Sequence, residues 1–287
     1  MTRWSFLWTP RWLGYLSLVL VFAVVCSLLG AWQFARRGEA QLEISRIDAN
    51  YDGTARDIRV ALPTLDAFDE NDKWSKVRIT GEYLASESML VRGRPYGGHS
   101  GFEVLVPLRT TDGSIFIVDR GWIPLAEDGR SPATVPSPPN GTVTVIARLK
   151  AGEAEISGRT TVAGTNQLAT IHLPEIADRL GKPTYVGAYG LLVSEDPSVG
   201  ESPLPSVRPV RDEGPHLSYA LQWYVFALLG FIGYGWAIRH EYRVLNSDDP
   251  AVRAAAEERE RRRAAKRPSD ADVEDALIER ARQSADL

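Results

Sequence analysis

Pro215-His216-Leu217-Ser218-Tyr219-Ala220-Leu221-Gln222-Trp223-Tyr224, continuing as Val225-Phe226-Ala227-Leu228-Leu229-Gly230-Phe231-Ile232-Gly233, decides how this chain is read. It is the mouth and first half of an apolar run, and residues 217–238 carry no charge. About 20 apolar residues is the length a helix needs to cross a ~30 Å hydrocarbon layer. A histidine nevertheless stands at the entrance, with a glutamine and a tryptophan one to two turns inside. Polar groups at such positions cost free energy unless they find partners.

A second uncharged run, residues 12–32, lies near the other end of the 287-residue chain. Two spans with a long polar segment between them form a hairpin whose termini share one side. Arg239, His240 and Arg243, then Arg253, Arg259, Arg261, Arg262, Arg263, Lys266 and Arg267, follow the second span. Under the positive-inside rule they place the C-terminus in the cytoplasm. Arg3 and Arg11 before the first span are offset by Arg36 and Arg37 after it, so the even number of spans and the basic tail decide. The expected layout is a cell-membrane protein with both termini cytoplasmic. It has a cytoplasmic arm (1–11), a first span (12–34), an extracytoplasmic β-rich domain with helical lead-in and linker (35–211), a second span (216–238) and a charged tail, helical or disordered (239–287).

The first apolar run is longer than a signal-peptide core, and no small-x-small site follows it cleanly, so it is read as a retained anchor. Cys26 is the only cysteine, which excludes an intramolecular disulfide and a cysteine-based metal cage. The net charge of −4 averages over segregated acidic and basic stretches and points to no partner. Trp4, Phe6, Trp8 and Trp12 fit an interfacial belt. Gly30 and Ala31 are small enough for close helix approach.

In the middle segment, residues 39–51 read as a polar helical continuation. From Lys76 the period changes to two: Val77, Ile79, Gly81 and Tyr83 alternate with Arg78, Thr80 and Glu82, a half-buried strand. Further strands are predicted over 88–94, 102–108, 115–118, 142–149 and 185–193. Residues 95–101 and 125–141 read as loops, Thr111-Asp112-Gly113-Ser114 as a hairpin turn, and 195–211 as a linker. Residues 173–181 form a short helix, with Pro174 near its start and Gly181 just past its end. The fold class is two transmembrane α-helices flanking one extracytoplasmic β-rich (α+β) domain, an antiparallel curled sheet or partly open barrel. In the tail, residues 251–266 read as a marginal helix, and residues 271–282 place Val273, Leu277 and Ile278 on one stripe.

Catalytic constellations are scarce. His99 and His172 lack metal-ligand spacing, and no nucleophile elbow, phosphate loop or zincin motif occurs. The chain is therefore read as no enzyme; a membrane-tethered hydrolase would need a nucleophile-base-acid grouping. No basic, aromatic-interleaved patch outside the membrane flanks argues for nucleic acid. Asp119-Arg120-Gly121-Trp122 is either a functional loop at a strand end or a buried ion pair with a turn glycine and a capping tryptophan.

On a helix, residues seven apart differ by only about 20° in direction. His216, Ala220 and Trp223 thus share a face, which Ala227 and Gly230 continue. That face can admit something flat, and neutral imidazole is a common axial ligand of haem iron. Equally, it can be an interfacial histidine with belt aromatics and small-residue helix packing.

At these residues the chain resembles the Surfeit locus protein 1 family, the Shy-type assembly factors. The resemblance rests on Leu29-Gly30-Ala31-Trp32-Gln33 with Arg36, on Val118-Asp119-Arg120-Gly121-Trp122-Ile123-Pro124, and on His216 through Tyr224, in this order and within a two-span layout. It covers the chain up to about Tyr242. The resemblance implies a non-catalytic assembly factor for haem-copper cytochrome c oxidase that holds haem a transiently for insertion into the catalytic subunit. It implies His216 as the haem iron ligand and Trp223 as a second pocket member. Trp32 and Gln33, at the same membrane face, are expected to close the pocket with Ala220. Arg120, Gly121 and Trp122 are expected to contact the oxidase. Expected partners are cytochrome c oxidase subunit 1, other oxidase subunits or assembly factors, haem a and membrane lipid. The alternative is a structural scaffold for oxidase subunits that binds no haem. The charged tail departs from the family pattern.

Overall fold

The computed structural model describes residues 4–129, 131–156 and 165–264. The tail stripe of Val273, Leu277 and Ile278, with Lys266 and Arg267, lies outside the described residues. The chain forms two compact units, Met1–Arg36 with Pro215–Leu287, and Arg37–Gly214.

The first unit is a helix hairpin. Helix α1 (Pro10–Asn50) is one uninterrupted helix, so the predicted polar continuation is its second half. Proline suits the first turn, where a missing N–H is no loss. Both α1 and the 30-residue helix of the second apolar run are long and apolar enough to cross a membrane. The described part of the tail is helical over Pro250–Ala264.

The second unit is a barrel. After β1 (Arg56–Asp57) and the single turn α2 (Ile58–Ala61) come β2 (Lys76–Tyr83), β3 (Met89–Tyr96), β4 (His99–Thr110), β5 (Ile115–Pro124), β6 (Thr142–Ala151), β7 (Gln167–Leu168), the helix α3 (Leu173–Leu180) and β8 (Ala188–Asp196). The ring runs β2-β6-β8-β5-β4 and closes where β4 returns to β2, Gly81 opposite Thr110 and Tyr83 opposite Leu108. The predicted curled sheet is therefore a closed five-strand ring. Its neighbours are antiparallel except β5 and β8, which run parallel at Val118 with Gly190 and Asp119 with Leu191. β1, β3 and β7 extend the sheet beyond the ring.

Closure depends on Gly81. It faces Val143 on β6 and Thr110 on β4, and a Cβ there would come within 2.2 Å of the Arg109 carbonyl oxygen. Any side chain would push the two ladders apart.

Strand alternation sorts the apolar residues into two layers. Val77, Ile79, Val104, Val106, Phe116, Val118, Val145 and Ala147 fill the ring interior. Leu105, Ile115, Ile117, Tyr189 and Leu191 face outward, against Leu173 and Ile176 of α3 and Ile47 and Tyr51 at the end of α1. Burying each large aliphatic side chain contributes roughly 1.5–3 kcal/mol. Helix α3 starts and stops as predicted, with Gly181 in the left-handed conformation at its C-cap.

Of the boundaries that differ from the sequence reading, two have a clear local cause. Residues 95–101 are a tight hairpin, not an open loop. Tyr96 pairs with His99 across Gly97 and Gly98, whose φ of 58° and 85° are what a two-residue hairpin turn of matching twist requires. The last strand starts at Ala188, not at 185. Tyr185 donates to the Ile115 carbonyl, and the N–H groups of Val186 and Gly187 go to Leu65. Val186 and Gly187 are thereby pinned to Leu65 and Tyr185 to β5, so none of them pairs in β8.

Candidate functional site

The apolar run quoted first is helix α4 (His216–Leu245), preceded by Pro215 as its N-cap residue. Its less exposed positions recur as His216, Ala220, Trp223, Ala227, Gly230 and Tyr234. On α1 they recur as Trp12, Leu16, Val19, Ala23, Cys26, Gly30 and Gln33. The alternating steps of three and four are those of two helices that keep one seam in contact.

At one end of the seam His216 Nδ1 lies 2.8 Å from Gln33 Oε1. This is a polar pair joining two helices 183 residues apart in sequence. One turn further in, Ala220 is 0% exposed. Trp223 is half-buried on the same stripe, its ring edge-on to Phe226 at 5.9 Å. The structure thus brings His216, Ala220, Trp223 and Gln33 onto one seam.

Trp32 is not among them. It is 56% exposed. Consecutive helical residues point about 100° apart, so with Gln33 on the seam Trp32 must turn away. The expected cleft between the helix ends is also closed here. Ala220 has no exposed surface, and a Cβ on Gly30 would lie 2.7 Å from the Tyr224 ring. His216 therefore sits at the rim of a packed seam.

The opposite end of the hairpin is held differently. Trp12 is 3% exposed and packs against Phe6, Tyr15 and Tyr234 with ring centroids 5.4–5.8 Å apart. Trp4 stacks on Tyr242 at 4.4 Å, and the Tyr234 hydroxyl donates to the Trp12 carbonyl at 3.3 Å. The one end is an aromatic clasp; the other rests on a hydrogen bond and small-residue packing.

Arg120, Gly121 and Trp122 occupy the barrel strand β5, and of the two sequence readings the buried ion pair is the one observed. Arg120 is 1% exposed and donates from two nitrogens to Glu195, at 2.7 and 3.3 Å, and from a third to the Pro136 carbonyl. The Tyr83 hydroxyl donates to the same carboxylate at 3.0 Å. Gly121 has φ 129°, and a Cβ there would meet the Leu204 carbonyl oxygen at 2.3 Å. Trp122 exchanges both backbone hydrogen bonds with Leu204, and its indole N–H donates to the Arg94 carbonyl. The side chains of Arg120 and Trp122 are buried. Arg120 ties β5 to β8 through Glu195, and the Trp122 backbone fastens Leu204 in the segment that follows β8.

The predicted linker 195–211 is more than a connection: beyond Leu204 it is held to α1 by ion pairs that its own composition does not show. Asp52 pairs with Arg208 at 2.7 Å, Asp48 with Arg211 at 2.9 Å, and Arg37 with Glu213 at 2.9 Å, while Gln41 donates to Glu213 at 3.1 Å. Residues 37, 41 and 48 lie on one stripe of α1, with Asp52 just past its end, so the linker runs along the helix as a strap. The signal was available: acids and arginines on one helical stripe, with opposite charges in the linker. Asp52 and Glu213 are held below their ordinary carboxylate values, Asp52 first by the Arg208 hydrogen bond and Glu213 first by that of Gln41, then Arg37. Among the described residues no group of three or more His, Cys, Asp or Glu is placed to hold a metal ion.

These features define a class: a closed β-barrel carried between two helices long and apolar enough for a membrane, with an imidazole–amide pair on the helical seam. The family model described as SURF1 family matches residues 20–228, and this chain belongs to that family. It is 31% identical over 247 residues to an uncharacterized SURF1-like protein of Mycobacterium bovis, covering 85% of this chain and 89% of that protein. A SURF1-like protein of Monosiga brevicollis is 25% identical over 231 residues, 72% and 80% of the two chains. One of Rickettsia felis is 29% identical over 112 residues, 37% and 45%. Membership is consistent with a general role in oxidase assembly, and the family is not a known enzyme family.

Proposed function

We propose that this chain is an assembly factor for haem-copper cytochrome c oxidase that holds haem a at the His216 end of the hairpin and yields it to subunit 1. The observation that carries this is the position of His216. It is a half-buried imidazole at the rim of the seam, bonded through one ring nitrogen to a neutral amide. The donor set fits the group: an imidazole is a common axial haem ligand, and here it stands on the seam stripe that also carries Ala220 and Trp223. His216 would hold the iron, and Trp223, Ala220 and Gln33 would form the wall beneath. Trp32 would lie on the lipid side. A single imidazole suits a carrier that must release its cargo.

In this reading both termini are cytoplasmic, the barrel is extracytoplasmic in the cell membrane, and lipid surrounds the hairpin. The barrel surface recognises the oxidase subunits or their other assembly factors. The Arg120-Gly121-Trp122 motif would serve that contact from beneath, fixing β8 through Glu195 and the chain at Leu204 under that surface.

The closed seam favours a second reading, a scaffold that steadies oxidase subunits and binds no haem. One experiment separates the two. The wild type and His216→Ala are co-expressed with the haem-a synthesis enzymes, purified, and compared by absorbance spectrum. A haem a spectrum in the wild type that disappears in the variant supports the carrier; no haem in the wild type, or the same spectrum in both, refutes it.

A further inference from the structure

We propose that Gln33 is a positioning residue that fixes the tautomer of His216 and so selects Nε2 as the iron-binding atom; this rests on the haem reading above. The Gln33 atom 2.8 Å from His216 Nδ1 is Oε1, a carbonyl oxygen that only accepts. With an acceptor placed there, the pairing assigns the hydrogen to Nδ1. A neutral imidazole has one N–H and one lone pair, so the lone pair is on Nε2.

The placement makes this pair more than a chance surface contact. Gln33 belongs to the seam stripe of α1 and His216 to that of α4, while the adjacent Trp32 faces away. Beneath the pair the seam is filled by Ala220, and the Tyr224 ring lies on Gly30, so the Gln33 backbone is held at a fixed depth. With Nδ1 engaged across the seam, the Nε2 edge of the ring is left for a ligand. A partner on the second ring nitrogen orients a metal-binding histidine, and losing one typically lowers metal affinity about 10–100-fold. A neutral amide, unlike a carboxylate, adds no charge to the ligand. That matches a site that must give its metal group away.

The test has two readouts. The full-length protein in detergent has four histidines, so ¹⁵N-labelled imidazoles are few enough to assign, with His216→Ala identifying the signal of interest. In the haem-free wild type the two-bond ¹H–¹⁵N pattern of His216 should be that of the Nδ1–H tautomer. Gln33→Leu, close in volume, should lose that pattern. Gln33→Glu, which keeps an acceptor, should retain it. Titration with ferric haem a should then show binding about 10–100-fold weaker in Gln33→Leu and at least as tight as wild type in Gln33→Glu. An Nε2–H tautomer in the wild type, or a Gln33→Leu protein with unchanged tautomer and affinity, overturns the proposal. If His216→Ala still abolishes binding in that case, the haem reading survives it. If the wild type binds no haem a, both fall together.

Discussion

The guanidinium of Arg120 and the carboxylate of Glu195 meet at 2.7 Å where the side chains are 0% and 5% exposed, and every oxygen and nitrogen between them has a partner. Breaking such a pair leaves a charge buried and unmatched, which costs about 3–5 kcal/mol. Arg120→Ala is therefore expected to destabilise the barrel by that amount, and Arg120→Met by less than Arg120→Ala, because it keeps volume. Chemical denaturation of the two variants checks the order. Equal stability to wild type would mean the pair is not held as described.

Gly121→Ala should fail for a different reason. The added methyl group meets the Leu204 carbonyl, and a φ of 129° disfavours any side chain. Backbone strain of this kind is worth about 1–3 kcal/mol, before the lost ladder bonds of Trp122 with Leu204. The expected outcome is a lower denaturation midpoint together with faster proteolysis near residue 204. Cleavage there at the wild-type rate would contradict the assigned anchor.

Asp119 gives a pH dependence of definite sign. Burial, with the charge of Glu103 nearby, holds its carboxyl well above the ordinary carboxylate range, and Oδ1 accepts from the Gly121 N–H. The native state keeps a proton that the unfolded chain releases. Between the ordinary value and the raised one, stability therefore falls as pH rises. Asp119→Asn keeps an acceptor for Gly121 and removes that proton, so its stability profile should be flatter over the same interval. Denaturation midpoints measured from pH 4 upward in about one-unit steps resolve the difference.

The strap should respond in the opposite direction. Because Asp52 and Glu213 titrate below their ordinary values, their contribution is present above the unfolded carboxylate range and is lost as pH falls through the lowered values. The pairs are exposed, so salt should weaken them too; at 1 M the screening length is only about 3 Å. Hydrogen-exchange protection across residues 206–214, taken relative to the intrinsic amide rate at each pH, is expected to fall at acid pH and at high salt, while the barrel strands do not lose protection. Exchange indifferent to both conditions would show that other contacts hold the segment.

Much of this was legible locally. Val77, Ile79 and Tyr83 alternate in sequence because they line one face of a strand, and the boundaries of α3 follow from Pro174 and Gly181. The seam was half legible. His216, Ala220 and Trp223 are phased by helix geometry alone, but a motif that prints Trp32 beside Gln33 invites both onto one wall, and the same geometry forbids it. What could not be read were relations set by distant partners. Gly81 looks like a weak point in a strand until two ladders are seen to converge on it. Glu195 looks like the start of a linker until Arg120 is found against it. The parallel pairing of β5 with β8 leaves no mark on either segment.

That pairing also dictates an order of events during synthesis. The hairpin of β3 and β4 is complete by residue 110, yet β2 pairs on its second side only with β6, and β5 waits for β8, which ends at Asp196. Until then the growing chain carries unpaired strand edges rich in valine and isoleucine, the kind of surface that recruits other strands. Long-range closures are also slow to find. A nascent chain of this protein is thus most vulnerable to aggregation between its first hairpin and its last strand, and a chaperone acting on it would be needed within that interval.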